Sequence, residues 1–301
     1  MWILLAVASA LFAGLTAVLA KLGVRTTDSV LATALRTPVI LVGAWAMTVL
    51  SGSVTQLGHV PLAGLGWLAC SGLATGASWL CYFRALQLGN VSQVAPVDKM
   101  STVLTVLLAV GLLGEPLGPL GWVGLVTMTV GTLLMLEPDD LRALAHSLGP
   151  GVRERGWLVY ACGSAFFAAL TAILSKLGVA GADAVPSDLA TAVRTLVVLI
   201  MVWTMVAVSR LSQGAASGGR LRVVRRELGW VLASGAATCA SWLCYFAALA
   251  DGPASVVVPI DKLGVLVTVG FSVLVLGERV GCRSLAGLVL LTAGTIMMAV
   301  G

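Results

Sequence analysis

The stretch "SWLCYFRALQLGNVSQVAPVDKMSTVLTVLLAV" (residues 78–110) is apolar enough for lipid or a protein core, yet Pro96-Val97-Asp98-Lys99 stands near its middle. The chain says nearly the same thing again in "SWLCYFAALADGPASVVVPIDKLGVLVTVGFSV" (residues 241–273), with Pro259-Ile260-Asp261-Lys262 in the same place. An acid beside a base, placed twice in greasy surroundings, marks a duplication first and a functional question second.

The duplication extends outward in both directions. "SGLATGASWLCYF" (71–83) matches "SGAATCASWLCYF" (234–246) at 11 of 13 positions, an offset of 163. Lys21 corresponds to Lys176 at an offset of 155, and Arg36 to Arg194 at 158. The offset changes between apolar spans, as expected for fixed helical units joined by loops that tolerate insertion. Five spans are expected in each half, near 2–22, 30–50, 62–87, 92–113 and 119–136, then near 157–178, 188–208, 229–250, 254–276 and 283–300.

Composition places these spans in a membrane. The 301 residues are 59% hydrophobic and 10% charged, against about 25% charged in a soluble domain. Apolar runs of about 20 residues suffice to cross a bilayer. The 35 glycines suit helices that approach closely in lipid. A formal charge of +5, concentrated in loops, points to an anionic leaflet and not to nucleic acid. The six cysteines form no CxxC pair, so neither a disulfide framework nor a zinc site is expected. "MWILLAVASALFAGLTAVLAKLG" lacks a basic leader segment and recurs mid-chain as "GWLVYACGSAFFAALTAILSKLG". It therefore reads as a membrane helix and not as a cleaved signal.

Five is odd, so two five-helix halves lie upside down relative to each other, a plan used by secondary transporters. The expected fold is an all-α membrane protein of ten transmembrane helices in two inverted five-helix repeats, 1–137 and 156–301, joined by a polar linker at 138–155. With both termini outside, Arg25, Arg142, Arg153, Arg155, Arg210, Arg220, Arg222, Arg225, Arg226, Arg279 and Arg283 all face the cytoplasm, as the positive-inside rule favours.

Ionisable groups at membrane depth are candidates for function, because hydrocarbon cannot solvate them. Asp98, Lys99, Asp261 and Lys262 are the clearest, each pair preceded by a proline that loosens its helix. The alternative is ion pairing that only helps packing; adjacent helical residues diverge, so each group needs a partner of its own. Ser71, Thr75, Ser78 and Tyr82 share one helix face, as do Ser234, Thr238, Ser241 and Tyr245, with Trp79 and Trp242 alongside. Such a stripe suits a wet cavity for a partly apolar solute or close packing of helices through small residues. Lys21 and Lys176 lie at helix ends and are expected to snorkel to headgroups. Arg36 and Arg194 lie several residues inside their helices, where an inward role and a headgroup contact are both open. Arg84 is matched by Ala247 in the repeat, and Glu115 and Glu278 read as turn residues. No hydrolase, nucleotide or metal motif is present, and no cofactor is expected.

The "SWLCYFRALQLGNVSQVAPVDK" block and the "LLGEPLG" and "VLGERVG" turns resemble the EamA-type branch of the drug/metabolite transporter superfamily, as a tandem fusion of two five-helix proteins. The resemblance covers nearly the whole chain. It implies an inner-membrane carrier that exports or exchanges small metabolites by alternating access without ATP, with the fourth and ninth helices near the solute. It also implies cytoplasmic termini, opposite to the charge count. The expected solute-binding residues are Lys99, Lys262, Asp98, Asp261, Trp79, Tyr82, Trp242, Tyr245, Ser78, Ser241, Arg36 and Arg194. The expected partners are a small solute, an amino acid or organic anion first, and membrane lipid, with the monomer and the homodimer both open. Proton coupling and exchange are both open. The rival readings are efflux of amphipathic or cationic drugs, a passive channel, and an intramembrane enzyme using two aspartates. The lysine beside each aspartate argues against the last, since it favours the ionised acid.

Overall fold

A computed structural model describes residues 1–23, 29–88, 97, 100–135, 156–181, 184–213, 225–274 and 281–301. Within them the protein is all-helical: α1 (Trp2–Gly23), α2 (Ser29–Leu50), a 3-10 turn (Ser53–Gln56), α3 (Leu62–Leu88), α4 (Ser101–Leu113), α5 (Pro119–Leu134), α6 (Gly156–Val179), α7 (Ser187–Gln213), α8 (Arg225–Asp251), α9 (Ala254–Lys262), α10 (Gly264–Leu274) and α11 (Cys282–Val300). Seven stretches of the described helices are long and apolar enough to cross a membrane, and two shorter helices, Ser101–Leu113 and Pro119–Leu134, are also apolar. Leu4, Val42, Val159, Ile200 and Val289 turn outward, each more than half exposed. Exposed apolar side chains along spanning helices are what lipid requires. The hydroxyls meet the same requirement internally: Thr37, Thr48, Thr105, Thr195 and Thr295 each donate to the carbonyl four residues back.

The expected single helix at 254–276 is instead two, broken at Leu263. Pro259 lies inside α9 and has no N–H to give to the helical ladder. At the break, the Leu263 amide bonds three residues back, to Ile260, at 2.9 Å. Met100, the equivalent residue in the first half, makes the same bond to Val97 at 3.1 Å. The sequence signal of a proline ahead of a charged pair thus marks a break just after the pair.

The chain packs as two compact units, one of residues 1–73, 174–252 and 264–271, the other of 74–173, 253–263 and 272–301. Each takes helices from both sequence repeats. In the first unit α1 packs on α8, and α2 on α7 and α8. Ser9 of α1 meets Ser241 of α8, and Thr16 meets Thr238, so the residue numbers run in opposite senses and the two helices are antiparallel. Ser51, just past α2, hydrogen-bonds Asp188 in the first turn of α7, which sets these two equivalent helices end to start. In the second unit α5 packs on α11. A Cβ on Gly124 would lie 2.6 Å from the Gly294 carbonyl, and one on Gly131 would lie 2.5 Å from the Leu291 amide and 2.7 Å from the Gly287 carbonyl. Only glycine permits backbones this close. The pairing of 124 with 294 and 131 with 287 makes α5 and α11 antiparallel too. They are the last helices of their respective repeats.

Candidate functional site

Arg194 projects from α7 about two turns after its start and is 7% exposed. Its guanidinium carbon lies 4.6 Å from the ring centroid of Trp242 and 5.7 Å from that of Phe246, both on α8. Its Nε donates to Ser71 Oγ at 3.3 Å, and Ser71 Oγ lies 2.8 Å from Ser175 Oγ. The rings give the cation a face to rest on where water is scarce, a contact of about 2 kcal/mol when desolvated. Tyr245, next along α8, stacks edge-on against Phe246 at 5.9 Å between centroids. A planar cation with five donors, fixed by aromatic and hydroxyl neighbours, is chemically matched to a carboxylate or a similar oxyanion.

Its repeat equivalent behaves differently. Arg36 on α2 is half-buried, and a Cβ on Gly235 of α8 would lie 2.9 Å from the Arg36 carbonyl and 3.3 Å from its Cβ. Ser234, equivalent to Ser71, donates to the Val231 carbonyl of its own helix at 2.8 Å.

The hydroxyl stripes of the two repeats lie at helix contacts. In the second unit Ser78 donates to the Ser164 carbonyl at 3.0 Å, and Thr75 Oγ1 lies 3.4 Å from Thr171 Oγ1. In the first, Ser241 donates to the Ser9 carbonyl at 3.1 Å, and Thr238 donates to Thr16 at 3.3 Å. Ser78 and Ser241 are both buried. Of the two meanings that such a stripe has in sequence, these hydroxyls display helix-to-helix bonding.

The remaining candidates divide by place. Asp98 and Lys99 lie outside the described residues. Asp261 is half-buried and Lys262 exposed, in the last turn of α9. Trp79, Tyr82 and Tyr245 are half-buried, as is Trp242 beneath Arg194. Tyr82 and Val97 both pack against a cluster of Ala85, Trp157 and Ala161.

Two charged residues make contacts that the sequence did not disclose. Lys176 donates to the Leu249 and Gly252 carbonyls at 2.6 and 2.8 Å. It thus serves the C-terminal end of α8, where carbonyls lack helical partners; it does not snorkel to headgroups. Glu115 accepts from the Ala254 and Ser255 amides, both at 2.7 Å. Its position in a turn repeated as Glu278 was the one available signal. Lys21 has no described side chain, and Glu278 lies outside the described residues.

Comparison with known proteins bears on what this arrangement does. The EamA-like transporter family matches residues 1–137 and 155–300. A protein of Sinorhizobium sp, described as an uncharacterized transporter in the cobO 3' region, is 46% identical over 134 residues. Those residues are 44% of this chain and 95% of the relative, so the relative is a half-length, single-repeat protein. A crystal structure of another protein aligns with a TM-score of 0.73 at 20% identity, covering 99% of this chain and 96% of that one. At that identity the likeness speaks for the fold alone.

Proposed function

Since the chain belongs to the EamA-like transporter family and is a multi-pass membrane protein, we propose that it is a secondary carrier for a small anionic or zwitterionic metabolite, an amino acid or organic acid. The observation that carries the reading is Arg194, a cation held on Trp242 inside a spanning helix. Intramembrane charge is costly and is kept where it serves a pathway. The family and the named relative point to transport rather than catalysis.

The reading comprises ten spans in two inverted repeats, in the inner membrane, cycling by alternating access. The antiparallel pairs α1/α8 and α5/α11 support the inversion. Arg194, Arg36, Trp242, Tyr245, Lys262, Asp261, Trp79 and Tyr82 serve the solute, with Ser241 and Ser78 beside them on the same helix faces and Asp98 and Lys99 added by repeat equivalence. The lysines and arginines attract an anionic group. The aspartates carry a proton or hold the lysines charged, and the aromatic rings cover an apolar part.

A thermal-shift screen of amino acids, organic acids and cationic dyes on purified protein tests this, because a ligand that binds the native state raises its apparent stability. Carboxylates should raise Tm, and the best of them should drive saturable counterflow in proteoliposomes. Stabilisation by cationic dyes alone would replace this reading with drug efflux. Full counterflow in a Lys99→Ala, Lys262→Ala double variant would remove the lysines from the site.

A further inference from the structure

Helix α9 is a short rod with a joint at each end. It starts at Ala254, after Gly252-Pro253, and stops at the Leu263 break. Nine residues give it a length of about 13 Å at 1.5 Å each. Every residue from Ala254 to Ile260 is buried, and the rod packs on α4 and α11. Asp261 and Lys262 form its last turn, immediately before the break.

Its first turn has no local cap. Pro253 occupies the N-cap position with no side-chain bond to give, and free amides at a helix start need acceptors. They find them in Glu115, 139 residues away in sequence, whose two carboxylate oxygens take the Ala254 and Ser255 amides at 2.7 Å each. Glu115 is itself placed by a tight turn. Gly114 has φ +65, a conformation suited to glycine, and the Glu115 amide bonds the Ala109 carbonyl at 3.3 Å. A negative charge at the positive end of a helix is favourable, and charge-assisted bonds are strong while made. Unlike packed side chains, however, they break without leaving a cavity.

We propose that Glu115 is a releasable latch. Made, it fixes the start of α9 and hence the direction in which Asp261 and Lys262 face; released, it lets the Ala254 end swing about the Leu263 break and turns that pair with the rod. Glu115 is a positioning residue, contributed by the first repeat to the charged helix of the second. The purpose assigned to the latch rests on the transport reading; its existence as a moving part does not.

The test needs no solute. In protein whose six native cysteines are replaced by alanine, spin labels at Leu112→Cys on α4 and Pro253→Cys at the start of α9, both in the second unit, report the distance across the latch by pulsed electron resonance in lipid nanodiscs. With Glu115 present two distances are expected, the shorter dominant. Glu115→Gln, which keeps the shape but loses the charge, should raise the longer population by about threefold or more. One distance, unmoved by Glu115→Gln, would make Glu115 a static cap and overturn the proposal. If Glu115→Gln does not fold, the Glu115 protein decides alone, since a single distance there has the same meaning. A ligand screen that fails while two distances persist would count against the solute and not against the latch.

Discussion

Two copies of one contact lie in different parts of the molecule. In the first unit α1 and α8 share the rungs Ser9–Ser241 and Thr16–Thr238; in the second, α6 and α3 share Ser164–Ser78 and Thr171–Thr75. These correspond residue for residue under the repeat offsets. One rung further they part. Ser71 binds Ser175 and Arg194, whereas Ser234 turns to its own helix, and Ala20 stands where a partner equivalent to Ser175 would be. The duplicated scaffold was kept where helices hold each other. It diverged beside the arginine, leaving Arg194 anchored and Arg36 half-buried.

The glycine contact of α5 with α11 gives the largest expected effect. At Gly131 a methyl group would meet backbone atoms that cannot move aside. Gly131→Ala should cost about 3 kcal/mol or more, the upper end for overpacking. Gly66→Ala, in α3 with nothing within 4 Å of the new methyl, should be neutral or stabilise by up to about 1 kcal/mol. Thermal melts in detergent check both, and equal costs would break the claim that α5 and α11 meet through glycine.

Next come the arginines. Arg194→Ala removes the Trp242 stack and the Ser71 bond and should cost about 2–4 kcal/mol. Arg36→Ala should cost under about 1 kcal/mol while still lowering solute affinity in the thermal-shift assay. Equal losses of stability from the two would erase the asymmetry.

Smaller effects belong to the rungs. Ser78→Ala and Ser241→Ala should each cost about 0.6–1.7 kcal/mol and agree within error, as equivalent interhelical bonds do. The smallest test is a gain. The register of α1 on α8 sets residue 20 against residue 234, so Ala20→Ser should supply the absent hydroxyl and stabilise by about 0.5 kcal/mol. No gain would show that the divergence lies in backbone spacing and not in the side chain.

How much of this was legible in the sequence varied with the distance between partners. The repeat offset disclosed the duplication, seven of the expected apolar spans recur among the described helices, and Pro259 announced the break near Asp261-Lys262. The odd helix number led to antiparallel halves, and the α5/α11 contact agrees with it. The stripe of Ser71, Thr75 and Ser78 was ambiguous because a small hydroxyl serves a wet wall and a tight contact equally well. Only the neighbour decides, and Ser164 and Ser175 lie 86 and 104 residues away. Lys176 was misjudged, and Glu115, a turn residue as expected, hid its partners, for the same reason: a charge near a helix end suggests headgroups or a turn, while the partners of both are backbone groups of distant helices.

Inversion of the two repeats is the claim on which the rest depends, and membrane sidedness tests it most directly. In a cysteine-free background, Gln56→Cys after α2 and Ser217→Cys after α7 occupy equivalent loops of the two repeats. A membrane-impermeant maleimide applied to intact cells should label Gln56→Cys and reach Ser217→Cys only after permeabilisation, which would also place the termini outside. The reverse pattern would retain the inversion and put the termini in the cytoplasm. Labelling of both from the same side would contradict it.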